Sequence, residues 1–257
     1  MAFFQIQSFS GVLNVATTVN VIMPEANQGI GLLTSAQNEL PKVLYLLHGY
    51  SDDHSIWMRR TSVERYAASH NLAVIMPAVN HSFYCNEKYG ERYWDYISEE
   101  LPQTMSRFLK ISTKREDTFV AGLSMGGYGA MRLALTYPER FAAAGSFSGA
   151  VDIVEEIRYL SEEHKENWKR VLGDLDHLKG TEIDNMYMLV QNRNAVHKPR
   201  IYVSCGTADF LYPQHFPFVN ALQDNGWEVT HYEKPEATHE WGFWDEQIKA
   251  FIEFIYT

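Results

Sequence analysis

Cysteine is scarce in this 257-residue chain, which holds only Cys85 and Cys205. A small scaffold stapled by disulfides needs several cysteines at short spacings, so this fold must rest on a buried core and suits a reducing interior. No apolar run approaches the roughly 18 residues that a membrane-spanning helix requires. A cationic excess is missing too, since 22 Lys and Arg face 32 Asp and Glu, a formal net charge of −10. Nucleic acid and anionic lipid both bind through a positive surface, so neither is an expected partner, and no membrane insertion is expected. The start, Met1-Ala2-Phe3-Phe4-Gln5, has no basic segment, apolar stretch and small-residue cleavage site in succession, which predicts a cytoplasmic protein. Internal repeats and low-complexity tracts are also lacking.

What is present is a globular balance: 46% hydrophobic and 21% charged residues allow a sizeable core, and the length suits one domain spanning 1–257. Residues Gln5 to Met23 alternate polar and apolar, predicting an antiparallel opening hairpin, and Pro24 to Glu39 reads as a loop. Lys42 to Leu47, Ala73 to Met76, Thr118 to Ala121 and Ile201 to Ser204 are short continuous apolar runs, the pattern of strands covered on both faces. Segments of helical periodicity separate them, Glu99 to Leu109 and Gln247 to Tyr256 being the clearest. These alternations predict an α/β fold with a mostly parallel central sheet flanked by helices on both faces. Residues 151–194 are charged and helical in pattern without a strand-like run, and read as a small helical cap insertion.

The sequence Gly122-Leu123-Ser124-Met125-Gly126 follows an apolar strand and opens a helix. A serine hydroxyl needs a base and nearby amide donors before it attacks a carbonyl, and a sharp strand-to-helix turn supplies the exposure. Ser124 is therefore the candidate nucleophile of an α/β-hydrolase fold. That fold places its triad in the order Ser, acid, His. Asp209 follows the strand Ile201 to Ser204 in a Cys-Gly-Thr-Ala turn, and His239 lies in a later loop, Lys234 to Trp241. Asp209 is the expected acid and His239 the expected base. Asp245 comes after His239 and His231 sits in mid-strand, so both are weaker candidates. The oxyanion donors are expected to be the backbone amides of Met125 and of Tyr50, the latter after His48-Gly49. His48 itself reads as a loop-holding residue. Trp57, Trp94 and Trp241 stand near these motifs in sequence, and they predict an aromatic, short acyl slot.

The segments VNVIMPE, LYLLHGYSDDHSIW, ISEELPQ, FVAGLSMGGYGAMRLAL, GTADFLYPQ and ATHEW occur in this order. Together they make the chain resemble the esterase D branch of the α/β-hydrolases, and within it most of all the tributyrin esterases of lactic acid bacteria. The resemblance implies Ser124, Asp209 and His239 as the triad and the Tyr50 and Met125 amides as the oxyanion hole. It further implies activity on short acyl esters, no metal or organic cofactor, and a homo-oligomer. His48-Gly49-Tyr50 departs from the non-histidine start that formylglutathione hydrolases carry there, which weighs against a glutathione thioester. Acyl transfer by the same intermediate, thioester hydrolysis and a non-catalytic binding role remain the competing readings.

Overall fold

The computed structural model describes residues 1–25 and 39–257. The alternating N-terminal segment forms the predicted hairpin, β1 (Ala2–Ser10) and β2 (Val15–Met23), paired from Ala2 opposite Met23 to Ser10 opposite Val15. Glu100 ties its turn to the body of the protein by accepting the Gly11 amide at 2.7 Å and the Ser10 hydroxyl. Of the predicted loop 24–39, residues 26–38 lie outside the described residues.

The remaining strands are β3 (Lys42–Leu47), β4 (Leu72–Pro77), β5 (Thr118–Leu123), β6 (Ala143–Phe147), β7 (Arg200–Gly206) and β8 (Val229–Lys234). They build one sheet in the order β1-β2-β4-β3-β5-β6-β7-β8. The hairpin joins antiparallel through β2 and β4, and every pairing from β4 to β8 is parallel. Alternate residues serve two cores, as the strand period of two requires. Val43, Tyr45 and Leu47 point to one, while Leu44 and Leu46 point to the other.

Strand β6 escapes the sequence reading because Ala143-Ala144-Gly145-Ser146-Phe147 carries no β-branched residue. Its small side chains have a packing cause: a Cβ on Gly145 would lie 2.8 Å from the Phe251 ring. The helix that covers this strand can therefore approach closely.

Ten helices flank the sheet among the described residues. They are α1 (Ile56–Arg60), α2 (Val63–Ala68), α3 (Tyr93–Asp95), α4 (Leu101–Phe108), α5 (Met125–Thr136), α6 (Ile153–Arg158), α7 (Glu162–Leu172), α8 (Asn185–Gln191), α9 (Tyr212–Asp224) and α10 (Trp241–Phe254). The predicted helix Glu99 to Leu109 begins earlier, at Tyr93, because a π-helical turn, Tyr96–Glu100, joins α3 to α4. The terminal helix also starts before Gln247, at Trp241. Phe243, Trp244, Ile248, Phe251 and Ile252 form its buried stripe, so apolar packing outweighs the poor helical propensity of the Trp-Gly start.

Between β6 and β7, residues 151–194 fold as α6, α7, a 3₁₀ turn and α8, without a strand. Side chains of Asp152, Ser161 and Asp184 cap the three α-helices. Helix α7 buries only Val171, whereas α8 buries Leu189 and sends Asn192 Nδ2 to the Leu135 carbonyl of α5 at 2.7 Å. No helix among the described residues is long and apolar enough to cross a membrane.

Candidate active site

Ser124 stands where β5 turns into α5, with φ 52° and ψ −119°. This left-handed backbone is unusual for a residue with a side chain, and the neighbouring glycines explain how the turn closes. A Cβ on Gly122 would lie 2.4 Å from the Gly126 carbonyl oxygen, and one on Gly126 would lie 2.4 Å from that of Leu47. The turn is then fastened to β6, as Ser124 N–H donates to the Phe147 carbonyl at 2.9 Å. Ser124 is half-buried.

The loops after β7 and β8 interlock beside this turn. Ala208 N–H donates to the Ala237 carbonyl at 3.0 Å, and a Cβ on Gly206 would lie 2.1 Å from that same oxygen. Asp209 and His239 thereby meet: Nδ1 of His239 lies 2.8 Å from Oδ2 and 3.1 Å from Oδ1 of Asp209. The Asp209 carboxylate is 0% exposed and the His239 side chain 19%. Asp209 Oδ1 also accepts the Leu211 amide at 2.9 Å, so one carboxylate both caps the following turn and holds the imidazole. With Nδ1–H directed at the acid, Nε2 is the nitrogen left for proton exchange. Phe210 and Trp244 flank the ring, their centroids 4.6 and 4.8 Å away. Trp244 is itself anchored by donating Nε1–H to Ser148 Oγ at 3.1 Å, one residue from the Phe147 carbonyl that holds Ser124. Among the described residues no hydrogen bond joins Ser124 to His239, a contact that in unliganded hydrolases often tightens only with substrate. Asp245 is engaged elsewhere, accepting Ser62 N–H and the Tyr66 hydroxyl, both at 2.8 Å. His231 lies in mid-strand on β8.

At the end of β3, His48 is buried and bridges two segments. Its Nδ1–H donates to the Gly49 carbonyl at 2.7 Å, and its Nε2 accepts Val79 N–H at 3.0 Å. These partners fix a neutral tautomer, and burial pushes the pKa down to about 4. The loop-holding role expected for His48 is thus met. Asp52 N–H also donates to the Gly49 carbonyl, at 3.2 Å. A trans peptide directs its N–H opposite its C=O, so pinning the Gly49 oxygen aims the Tyr50 amide away from the loop. Among the described residues no acceptor takes the Tyr50 or Met125 amide. Gly49 itself sits against the Ser124 turn, since a Cβ there would come 3.7 Å from Ser124 Cβ.

The three tryptophans expected to wall a pocket divide differently. Trp94 is a packing residue, with the Arg132 guanidinium 3.9 Å from its ring centroid and Tyr137 stacked on it at 5.9 Å. Trp57 is 1% exposed and donates Nε1–H to the Leu47 carbonyl at 3.0 Å, bracing the strand end that leads to His48-Gly49-Tyr50. Both readings as substrate contacts are corrected by burial: large rings are drawn first into the core. Trp241 is half-buried, edge-on to Trp57 and to Trp244 at 5.4 and 5.1 Å. A small cleft instead opens between Tyr50, His81, Phe83 and the α7 residues Asn167 and Trp168. Phe83 and Trp168 approach to 4.0 Å between centroids, and Tyr50 stacks on His81 at 4.2 Å. Nothing in the sequence brings Phe83 and Trp168 together, because their segments are far apart. Only Phe210, directly after Asp209, carried a positional signal.

The family model for esterases matches residues 10–254. An acetyl esterase of Caldicellulosiruptor saccharolyticus is 32% identical over 265 residues, spanning 99% of this chain and 98% of that protein. Among solved structures, the substrate-bound fluorophosphonate-binding serine hydrolase F (FphF) of Staphylococcus aureus superposes with TM-score 0.87 at 35% identity, covering 100% of this chain and 98% of that one. The S-formylglutathione hydrolase (FrmB) of the same organism gives TM-score 0.85 at 35% identity, covering 100% and 99%. Together with the sheet topology, these matches establish that the chain belongs to the esterase family, as a serine carboxylesterase on the α/β-hydrolase fold.

Proposed function

We propose that the protein hydrolyses short acyl esters, acetyl to butyryl, through an acyl-enzyme on Ser124. The observation that carries this reading is the buried Asp209 carboxylate on His239 Nδ1, at 2.8 and 3.1 Å, beside the Ser124 turn. His239 Nε2 takes the Ser124 hydroxyl proton as Oγ bonds to the acyl carbon. The negative oxygen is met by the Tyr50 and Met125 amides, each contributing roughly 2.7–4 kcal/mol to the transition state. The tetrahedral intermediate expels the alcohol, which leaves with the proton from His239. Water then attacks the acyl carbon, gives its proton to His239, and frees the carboxylic acid and Ser124. Asp209 holds the imidazole tautomer throughout.

Tyr50, Phe83 and Trp168 form an aromatic wall whose bulk limits the acyl chain, and α7 brings Trp168 to it from the 151–194 segment, which acts as a cap on the single domain. Each CH₂ that fits gains up to about 0.8 kcal/mol, and one that meets a ring costs roughly 1–3 kcal/mol. Glycerides such as tributyrin, acetylated sugars and phenyl esters are the substrate candidates. The protein acts in the cytoplasm, in keeping with two buried free cysteines, and assembles as a homo-oligomer through a β1 edge that exposes Phe3, Phe4 and Phe9.

The test is a series of p-nitrophenyl esters from acetyl to octanoyl, run beside acetylated sugars, S-formylglutathione and added alcohol acceptors. A maximum of kcat/KM between acetyl and butyryl is expected. A rise continuing through octanoyl would retire the short slot, and preferential acyl transfer to an alcohol would make the protein an acyltransferase.

A further inference from the structure

Away from the Ser124 turn, the first turn of α9 faces the outer strand β8. His215 projects from α9, and His231 and Glu233, two residues apart on β8, share one face of that strand. Ligand atoms of all three lie within 4.8 Å of one another. His215 Nε2 is 3.7 Å from Glu233 Oε1, and both atoms are buried without a hydrogen-bond partner. An orphaned imidazole nitrogen and an orphaned carboxylate oxygen facing each other are costly unless something lies between them. The other carboxylate oxygen, Oε2, is occupied, accepting the Tyr212 hydroxyl at 3.2 Å. That bond orients Oε1 toward the histidines, as outer hydrogen bonds orient metal-binding carboxylates.

We propose that His215, His231 and Glu233 bind a divalent first-row transition ion, with zinc the ion that suits them. Two imidazole nitrogens and one carboxylate oxygen form a donor set that zinc accepts and that magnesium and calcium, which favour all-oxygen shells, do not. Ligands at zinc distances of about 2.0–2.1 Å and tetrahedral angles stand roughly 3.3 Å apart, so the 3.7 Å separation needs only a small contraction. The side chain of His215 is 2% exposed, so its ring nitrogen faces the cluster and not bulk water. His231 is exposed, which gives the ion an entry path and leaves a coordination position for water.

The ion is a clamp and takes no part in acyl transfer. Helix α9 begins at Tyr212, three residues after Asp209, and β8 ends at Lys234, five residues before His239. Joining α9 to β8 therefore ties together the two segments that carry the acid and the base.

Calorimetric titration of chelator-treated protein with zinc chloride tests this without reference to turnover. One saturable site per chain is expected, with a melting temperature raised by several degrees in zinc and unchanged in magnesium. His231→Ala and Glu233→Gln alter exposed or half-buried edge positions and should melt like the parent in chelator, yet bind zinc at least tenfold more weakly. The His239→Ala protein should bind it as tightly as the parent. Absence of a one-to-one site overturns the proposal, as does undiminished binding in His231→Ala and Glu233→Gln, or loss of binding in His239→Ala.

Discussion

At the scale of single residues, the partners of each carboxylate decide its role more than its distance in sequence from the base. Asp209 gives both oxygens to His239 Nδ1, whereas Asp245 gives both of its own to Ser62 and Tyr66. Replacing Asp209 by Asn presents the imidazole with a donor and favours the wrong tautomer, and kcat/KM should fall by about 10³–10⁴-fold. Asp245→Asn only loosens the tie between α10 and α2, and it should change turnover by no more than a few-fold. Steady-state kinetics of the two variants on p-nitrophenyl acetate checks this, and the reverse ranking would move the acid to Asp245. The sharp turn at Ser124 and the meeting of Asp209 with His239 were legible because small residues announce the turns and because the order Ser, acid, His is constrained. Trp57 and Trp94 were not, since nothing in a sequence distinguishes a ring that lines a cleft from one packed under Arg132 or bonded to Leu47.

Among the elements, the end of β3 depends on an uncharged His48. The ordinary imidazole pKa is 6.5 and the folded one is about 4, so between these values the unfolded chain takes up a proton that the folded chain refuses. The stabilisation is complete above pH 6.5 and is lost as pH falls toward 4, a difference of roughly 3 kcal/mol at the acid end. Urea unfolding of the parent and of His48→Gln between pH 7 and 4.5 should give a pH slope shallower by up to one proton in the variant. Parallel curves would remove this role from His48. Continuous apolar runs made β3, β4, β5 and β7 readable, while β6 was hidden because its small residues answer to Phe251 on α10. The same limit conceals the His215, His231 and Glu233 cluster, which joins a helix to a strand with no spacing motif.

For the molecule as a whole, the exposed β1 edge bears on assembly. Phe9 is 67% exposed there, and Phe3 and Phe4 stand out from the same strand. Light scattering at micromolar concentration should give a multiple of the 29.6 kDa chain mass. A species of chain mass alone would end the oligomer proposal. The mixed sheet with its antiparallel hairpin was legible as a class from the alternation of patterns. Its strand order was not, because neighbours such as β3 and β5 are brought together across a long stretch of chain.

Seven non-glycine residues among those described have left-handed φ values, and five of them, Phe83, Tyr84, Ser124, Ser148 and Glu236, border the site or the groups that hold it. Each such conformation costs roughly 1 kcal/mol or more, and their sum is a sizeable fraction of the 5–15 kcal/mol that typically separates a folded domain from its unfolded chain. The cleft is thus a spring held bent by the sheet beneath it. Glycine at Glu236, the exposed one of the five, relaxes part of that strain without opening a cavity and should make the protein hardier and slower together, whereas stabilising changes elsewhere in the sheet carry no such conflict.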